Sequence, residues 1–223
     1  MKIFIVGGTG RVGQSLAKQL LQAGHEVIVG SRHEVAELVA LGIKFKKLDL
    51  HASVVEIAQV IGQVDAIYFT AGSRGKDLLQ SDAFGAVKTM EAAKLNGINR
   101  YIMLSAQKSL EPEFWDLEPY VHIKDYYTAK FFADKYLMDS TTLNFTILQP
   151  VALVEEKGTG QFASGEVINK TIAIDDVALA LLVALEQLLL SKRCFQLAMV
   201  IKVFRKFGTK EKISPHFVGR FFF

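Results

Sequence analysis

Two periods of apolar residues alternate along the chain. Short runs rich in β-branched and aromatic residues predict strands over 2–6, 26–30, 43–48, 65–70, 100–104, 144–148 and 195–199. Between them apolar positions recur three or four apart. Val12, Leu16, Leu20 and Ala23 mark one helix, and further helices are predicted over 35–41, 54–61, 123–138 and 176–190, the last capped by Asp175. Ala83, Ala86, Val87, Met90 and Ala93 form a long amphipathic helix that ends near Asn96-Gly97, with Met90 in the core. Strands that alternate with helices imply an α/β fold: one doubly wound, mostly parallel sheet of about seven strands with helices on both faces. Two stretches break the alternation, 106–122 and 151–170, and loops of that length are often functional. Trp115 in the first of them either covers a substrate or packs the loop down.

The first strand runs without a spacer into Gly7-Gly8-Thr9-Gly10-Arg11-Val12-Gly13 and then into the first helix. That order is the opening of a dinucleotide-binding βαβ unit. Gly7 lets the chain turn tightly, Gly10 lets the backbone approach a pyrophosphate, and Gly13 lets the helix pack close to the sheet. The helix N-terminus offers free N–H groups and a positive dipole end to phosphate. An NAD site usually carries an acid at the end of the second strand, about 20 residues beyond the glycines. Ser31-Arg32-His33 stands there instead, and an arginine suits a 2′-phosphate, so NADP(H) is expected over NAD(H). Arg32 also reads as a solvated surface arginine, and His33 as surface polar. Asp49, followed by Leu50, either meets the adenine or caps the next helix. Ala71 and Gly72 leave the carboxyl end of the fourth strand, where ligands of open α/β sheets bind.

Charge changes the picture in one place. The net charge is +3, but residues 200–223 hold six basic side chains and one acid, so the remainder is slightly acidic. The basic balance therefore gives no argument for nucleic-acid binding. The apolar runs fall short of the roughly 18 residues of a membrane span, and no signal peptide precedes the first strand. A cytoplasmic protein is expected. A single cysteine, Cys194, excludes an internal disulfide or a cysteine metal cluster and reads as a small buried hydrophobe. No metal site is expected.

Tyr126 and Lys130 lie four apart on a helix and so share a face. An ammonium beside a phenol favours the phenolate and lowers its pKa toward the range useful for proton transfer. Ser105, at the end of the fifth strand, is placed to hydrogen-bond a substrate carbonyl or hydroxyl.

Taken together, Ile5–Gly13, Asn99–Ser105, Asp125–Lys130 running on to Ala133-Asp134, and Phe145–Pro150 followed by Gly158-Thr159-Gly160 resemble the short-chain dehydrogenase/reductase superfamily. The likeness is to its small atypical NAD(P)-binding branch, often labelled NAD-dependent epimerase/dehydratase or sugar-epimerase-like, and covers most of residues 1–199. It implies a Rossmann fold with Tyr126 as catalytic acid/base and Ser105 orienting the substrate. Lys130 would bind the nicotinamide ribose and lower the tyrosine pKa. Gly7, Gly10, Arg11 and Val12 would line the pyrophosphate, with Thr9 and Gly13 in the same turn. Ser31 and Arg32 would meet the 2′-phosphate end, and Asp49, Leu50, Ala71 and Gly72 the rest of the cofactor crevice.

Three departures stand out. The Ser105–Tyr126 gap is long. Val151 replaces the glycine usual after the strand-six proline and could crowd the nicotinamide end. Residues 200–223, six of them phenylalanine, do not look like the family; a reading-frame slip or a poorly ordered tail is favoured over a basic-aromatic helix that docks on a partner or membrane. The expected function is hydride transfer between NADP(H) and a small carbonyl or hydroxyl substrate, since the chain is too short for a large substrate domain; a homodimer is compatible. Two alternatives stay open: an NADP(H)-sensing module without catalysis, and a flavin or quinone reductase that does not use the tyrosine.

Overall fold

The computed structural model describes residues 1–164, 171–186 and 193–198. Its strands are β1 (Lys2–Val6), β2 (Glu26–Ser31), β3 (Lys44–Lys47), β4 (Ala66–Phe69), β5 (Arg100–Leu104), β6 (Asn144–Pro150), β7 (Ala152–Val154), β8 (Ala163–Ser164), β9 (Thr171–Ala173) and β10 (Arg193–Ala198). The helices are α1 (Arg11–Gln22), α2 (Ala36–Ala40), α3 (Val54–Ile61), α4 (Phe84–Leu95), α5 (Lys124–Ser140) and α6 (Ile174–Glu186). The main sheet runs β3-β2-β1-β4-β5-β6-β10-β8. Its first seven members pair in parallel, as the strand–helix alternation requires, and β8 joins β10 antiparallel at the edge.

Side-chain alternation along the strands builds two apolar layers. Ile3, Ile5, Ile102 and Leu104 face α1 and α6, with Leu16, Leu20, Val177 and Leu181. Phe4, Val6, Tyr101 and Met103 face the other side, with Ile57, Ile61, Met90 and Leu137 from α3, α4 and α5. A sheet buried on both faces reads as continuous apolar runs, which is why the strands were legible.

Several expectations shift. Residues 151–164 are not all irregular: Ala152–Val154 forms β7, which pairs in parallel with β9 as a separate small sheet, and Ala163–Ser164 forms β8. The predicted long helix begins as a π-helical turn, Leu78–Ala83, before α4 takes over, and α4 buries residues around much of its circumference instead of one stripe. Asp175 does not cap α6; it lies inside the first turn, where its carboxylate accepts from Ser15 Oγ at 2.6 Å and ties α6 to α1. Val151 is buried in the apolar layer with Phe162 and Ile174. Trp115 packs the 106–122 loop down: its Nε1 donates to the Lys108 carbonyl at 2.9 Å and its ring meets Tyr127 and Phe131. The expected extension of α6 to Leu190, Met199 of the last strand, and the 200–223 tail lie outside the described residues.

Gly30, near the end of β2, carries a constraint that its strand pattern does not announce. A Cβ there would stand 2.5 Å from Cε1 of the fully buried Phe4 ring. Gly30→Ala is expected to cost about 1–3 kcal/mol through overpacking. Urea unfolding checks this; a loss within about 0.5 kcal/mol, the range of a neutral surface change, would show that Phe4 moves aside freely.

Candidate active site

In a parallel sheet all strands end on one side, and here those ends carry Gly7 (β1), Ser31 (β2), Asp49 (β3), Ala71 (β4) and Ser105 (β5). The strand order reverses between β1 and β4, the place where open α/β sheets form a ligand crevice. Gly7 and Ala71 meet there. Gly7 has φ +76°, and a Cβ on it would lie 2.5 Å from the Ala71 Cα. Gly13 is excluded from a larger side chain by a different neighbour than expected. Its Cβ would fall 2.6 Å from the Gly7 carbonyl oxygen and Gly8 Cα, so it lets α1 pack on the turn itself more than on the sheet.

The helix start that follows suits an anion. α1 has Gly10 at its N-cap with no side-chain cap and no acid in the first turn. Gln14 instead steadies the turn, donating from Nε2 to the Thr9 carbonyl at 2.8 Å. Val12 and Gly13 are buried and Arg11 is exposed. Arg11 pairs with Glu155 at 3.1 Å. Thr9 Oγ1 and Ser31 Oγ share a hydrogen bond of 2.6 Å, joining the glycine turn to the end of β2. Arg32, beside them, is exposed, and its charge reaches Asp77. Asp77 also accepts from Ser81 Oγ and pairs with His51 Nε2 at 2.7 Å; the Ser81 bond first, then His51, holds its carboxyl below the usual range. Asp49 is exposed and accepts from its own neighbour, the His51 N–H, at 2.9 Å. It does not cap α3, which is capped by a Ser53–Glu56 box. Leu50 is half-buried against the α3–α5 layer, and Gly72 is exposed. No acid stands where Ser31 does, and the uncapped helix start and glycine turn leave backbone donors for phosphate; these residues fit a dinucleotide.

At the β5 end Tyr126 and Lys130 come together as their spacing predicts. Lys130 Nζ stands 5.7 Å from the Tyr126 ring centre and 6.0 Å from that of Phe69, and donates to the Leu104 carbonyl at 3.3 Å. Ser105 is brought to the same strand end, but its hydroxyl is turned inward. Ser105 Oγ donates to Asp134 Oδ2 at 2.6 Å. The expected lowering of the tyrosine pKa is not what the surroundings produce. Burial, then the negative charges of Asp82 and Asp134, push the Tyr126 phenol above its ordinary value. Burial also lowers the Lys130 pKa, against the pull of the same two carboxylates.

Four polar residues of this region were given no role in the sequence: Asp82, Ser109, Asp134 and Gln149. Asp82 is fully buried in the π-helical turn, takes the Ser73 N–H at 2.9 Å on Oδ2, and leaves Oδ1 without a hydrogen-bond partner. Nothing in its sequence neighbourhood signals it. Asp134 had a signal: it lies one turn beyond Lys130, on the same face. Gly158-Thr159-Gly160 is a structural loop held by Asp176, whose carboxylate accepts from Thr159 N–H, Thr159 Oγ1 and Gly160 N–H at 2.8–3.0 Å. Among the described residues no group of His, Cys, Asp and Glu gathers to hold a metal ion, and no helix is long and apolar enough to cross a membrane.

Comparison with known proteins agrees with this geometry. The NAD(P)H-binding family profile matches residues 7–188, and the chain belongs to that family. A Bacillus subtilis protein described as the uncharacterized sugar epimerase YhfK is 35% identical over 206 residues, covering 88% of this chain and 94% of that one. The UPF0659 protein YMR090W of Saccharomyces cerevisiae is 34% identical over 194 residues, 80% of this chain and 84% of its own length. The crystal structure of the oxidoreductase ylbE from Lactococcus lactis superposes with a TM-score of 0.84 at 37% identity, over 90% of this chain and 91% of that one. The chain is thus an NAD(P)-binding, oxidoreductase- and epimerase-like protein with a Rossmann fold.

The upward push on Tyr126 has a direct test. Wild type and Tyr126→Phe, without ligand, are expected to show superimposable tyrosinate absorbance titrations below about pH 10, the ordinary tyrosine value. An extra ionisation in the wild type near pH 7–9 would show that Lys130 outweighs burial and the two carboxylates.

Proposed function

We propose that the chain is an NADP(H)-dependent reductase of a small carbonyl compound, with Tyr126 as proton donor. The observation that carries this reading is the Tyr126–Lys130 pair, 5.7 Å apart, at the carboxyl edge of a sheet whose switch point holds an uncapped glycine turn. The nicotinamide, when bound, supplies the hydride. Gly7, Thr9, Gly10, Arg11, Val12 and Gly13 would hold the pyrophosphate, and Ser31 with Arg32 the 2′-phosphate end. Lys130 would meet the nicotinamide ribose.

The raised phenol pKa favours one direction. Tyr126 stays protonated at neutral pH. The alkoxide formed on reducing a carbonyl is a base of roughly the strength of hydroxide and far stronger than a phenolate, so even a weak phenol delivers its proton downhill. The reverse step, removing a proton from an alcohol, would need the lowered pKa that the site does not provide. A second reading draws on the same fact. Hydride transfer to a flavin or quinone takes no proton from Tyr126, so an upward-pushed phenol is no obstacle to it.

The test has two stages. Nicotinamide fluorescence titration of wild type and Arg32→Ala is expected to show NADPH binding about tenfold weaker in the variant, roughly 1.4 kcal/mol, with NADH nearly unchanged. Equal losses for both cofactors would refute the 2′-phosphate role. Tyr126→Phe is then expected to lower carbonyl reduction by 10²–10⁴-fold, roughly the contribution of general acid catalysis. Retained activity on quinones or flavin, with none on carbonyls in the wild type, would move the assignment to the second reading.

A further inference from the structure

Asp134 takes no part in the proton transfer proposed above, yet it is bonded from three sides. The side chain is fully buried. Its Oδ2 accepts from Ser105 Oγ and Ser109 Oγ, each at 2.6 Å, and from Gln149 Nε2 at 3.4 Å. Gln149 Nε2 also donates to Ser109 Oγ at 2.6 Å. One carboxylate oxygen therefore gathers the end of β5, the loop that follows it, and β6. The other oxygen, Oδ1, has no hydrogen-bond partner.

Lys130 lies one helical turn earlier on α5 and is buried to 3% exposure. The bond it donates, to the Leu104 carbonyl, answers no charge. A buried ammonium is costly unless a counter-charge faces it. The Phe69 ring from β4 and the Tyr126 ring from its own helix stand beside Lys130, and the negative charges of Asp82 in the π-helical turn and of Asp134, one turn on along α5, act on it. Asp134 in turn is bonded by the two serines and Gln149, and its charge acts on Lys130 and, from β10, on Cys194.

We propose that Asp134 is a positioning residue of this crevice: it fixes the Ser105 and Ser109 hydroxyls with their hydrogens turned inward and supplies a counter-charge for the Lys130 ammonium. A serine hydroxyl has one hydrogen to give. With that hydrogen committed to Asp134, Ser105 faces any ligand as an acceptor. The group it would orient is then an O–H or N–H donor, such as the Tyr126 hydroxyl, a substrate hydroxyl or an amide, and not a bare carbonyl. Only this last consequence rests on reading the crevice as the reaction site.

The test is urea unfolding of the full chain, without ligand, for wild type, Asp134→Asn, Lys130→Met and the double variant between about pH 7 and pH 10, the range below the ordinary lysine pKa. Asparagine keeps the shape and can still accept a hydroxyl hydrogen, but it carries no charge. The Asp134→Asn midpoint is expected below wild type, by a gap that widens as the pH falls, because the unfolded chain protonates its lysine while the folded one then resists. In the Lys130→Met background the same substitution is expected to cause no loss. A gap that is constant with pH, or as large without Lys130, overturns the proposal and leaves Asp134 a packing bond. Should Asp134→Asn not fold alone, recovery of folding in the double variant supports the counter-charge, and continued failure overturns it. NADPH titration of the same variants forms a separate arm. Absence of binding in wild type would end the cofactor reading while the unfolding series still decides the role of Asp134.

Discussion

The structure depends on a close approach of backbone to backbone at the switch point. β1 must end, turn and start α1 within a few residues, while the segment leaving β4 passes alongside. A Cβ on Gly7 would collide with Ala71, and one on Gly13 with the Gly7 carbonyl. With those side chains absent, α1 settles directly on the turn and its N-terminus opens at the sheet edge. The same packing places α1 against α6, where Ser15 and Gln19 bind Asp175 by its carboxylate and its carbonyl. One steric requirement thus fixes both the dinucleotide-type crevice and the helix pair that closes one face of the sheet.

The other end of the crevice is governed by charge. Tyr126, Lys130, Asp82 and Asp134 are gathered where water is scarce, and burial opposes ionisation of the phenol, the ammonium and Asp134. A pairwise view, with Lys130 beside Tyr126, gives the wrong sign for the phenol, because it omits two acids from elsewhere in the fold and the loss of solvent. The Tyr126 phenol that results is held protonated.

How much of this was legible followed from how local each cause is. Strands buried on both faces, the glycine turn and the four-residue spacing of Tyr126 and Lys130 are short-range patterns, and they stand where the sequence places them. Asp82 was invisible because its importance comes from a π-helical turn packed on α5, a tertiary fact with no local signature. Asp134 was half-visible: its spacing from Lys130 puts both on one face, but its bonds to Ser105, Ser109 and Gln149 join residues 15 to 29 positions away. Asp175 misled for a similar reason. Asp175, at a helix start, reads as a cap but ties α6 to α1, and Asp176, with no signal of its own, clamps the Gly158–Gly160 loop.

The 106–122 segment shows how such a site is finished. Its length suggests a functional loop, and its contacts are those of a fitted panel. Trp115 lies against Tyr127 and Phe131, Tyr120 against Tyr127, and Lys108 stands 4.2 Å over the Phe114 ring while pairing with Glu111. Ser109 anchors the near end of the segment to Asp134. The loop is therefore tied to α5 on the helix that carries Tyr126, and Tyr126 itself meets Tyr127 edge-on at 5.5 Å. The loop, Tyr127 and Tyr126 are thus one packing unit. The long gap between Ser105 and Tyr126 is filled by residues that pack on the helix carrying Tyr126.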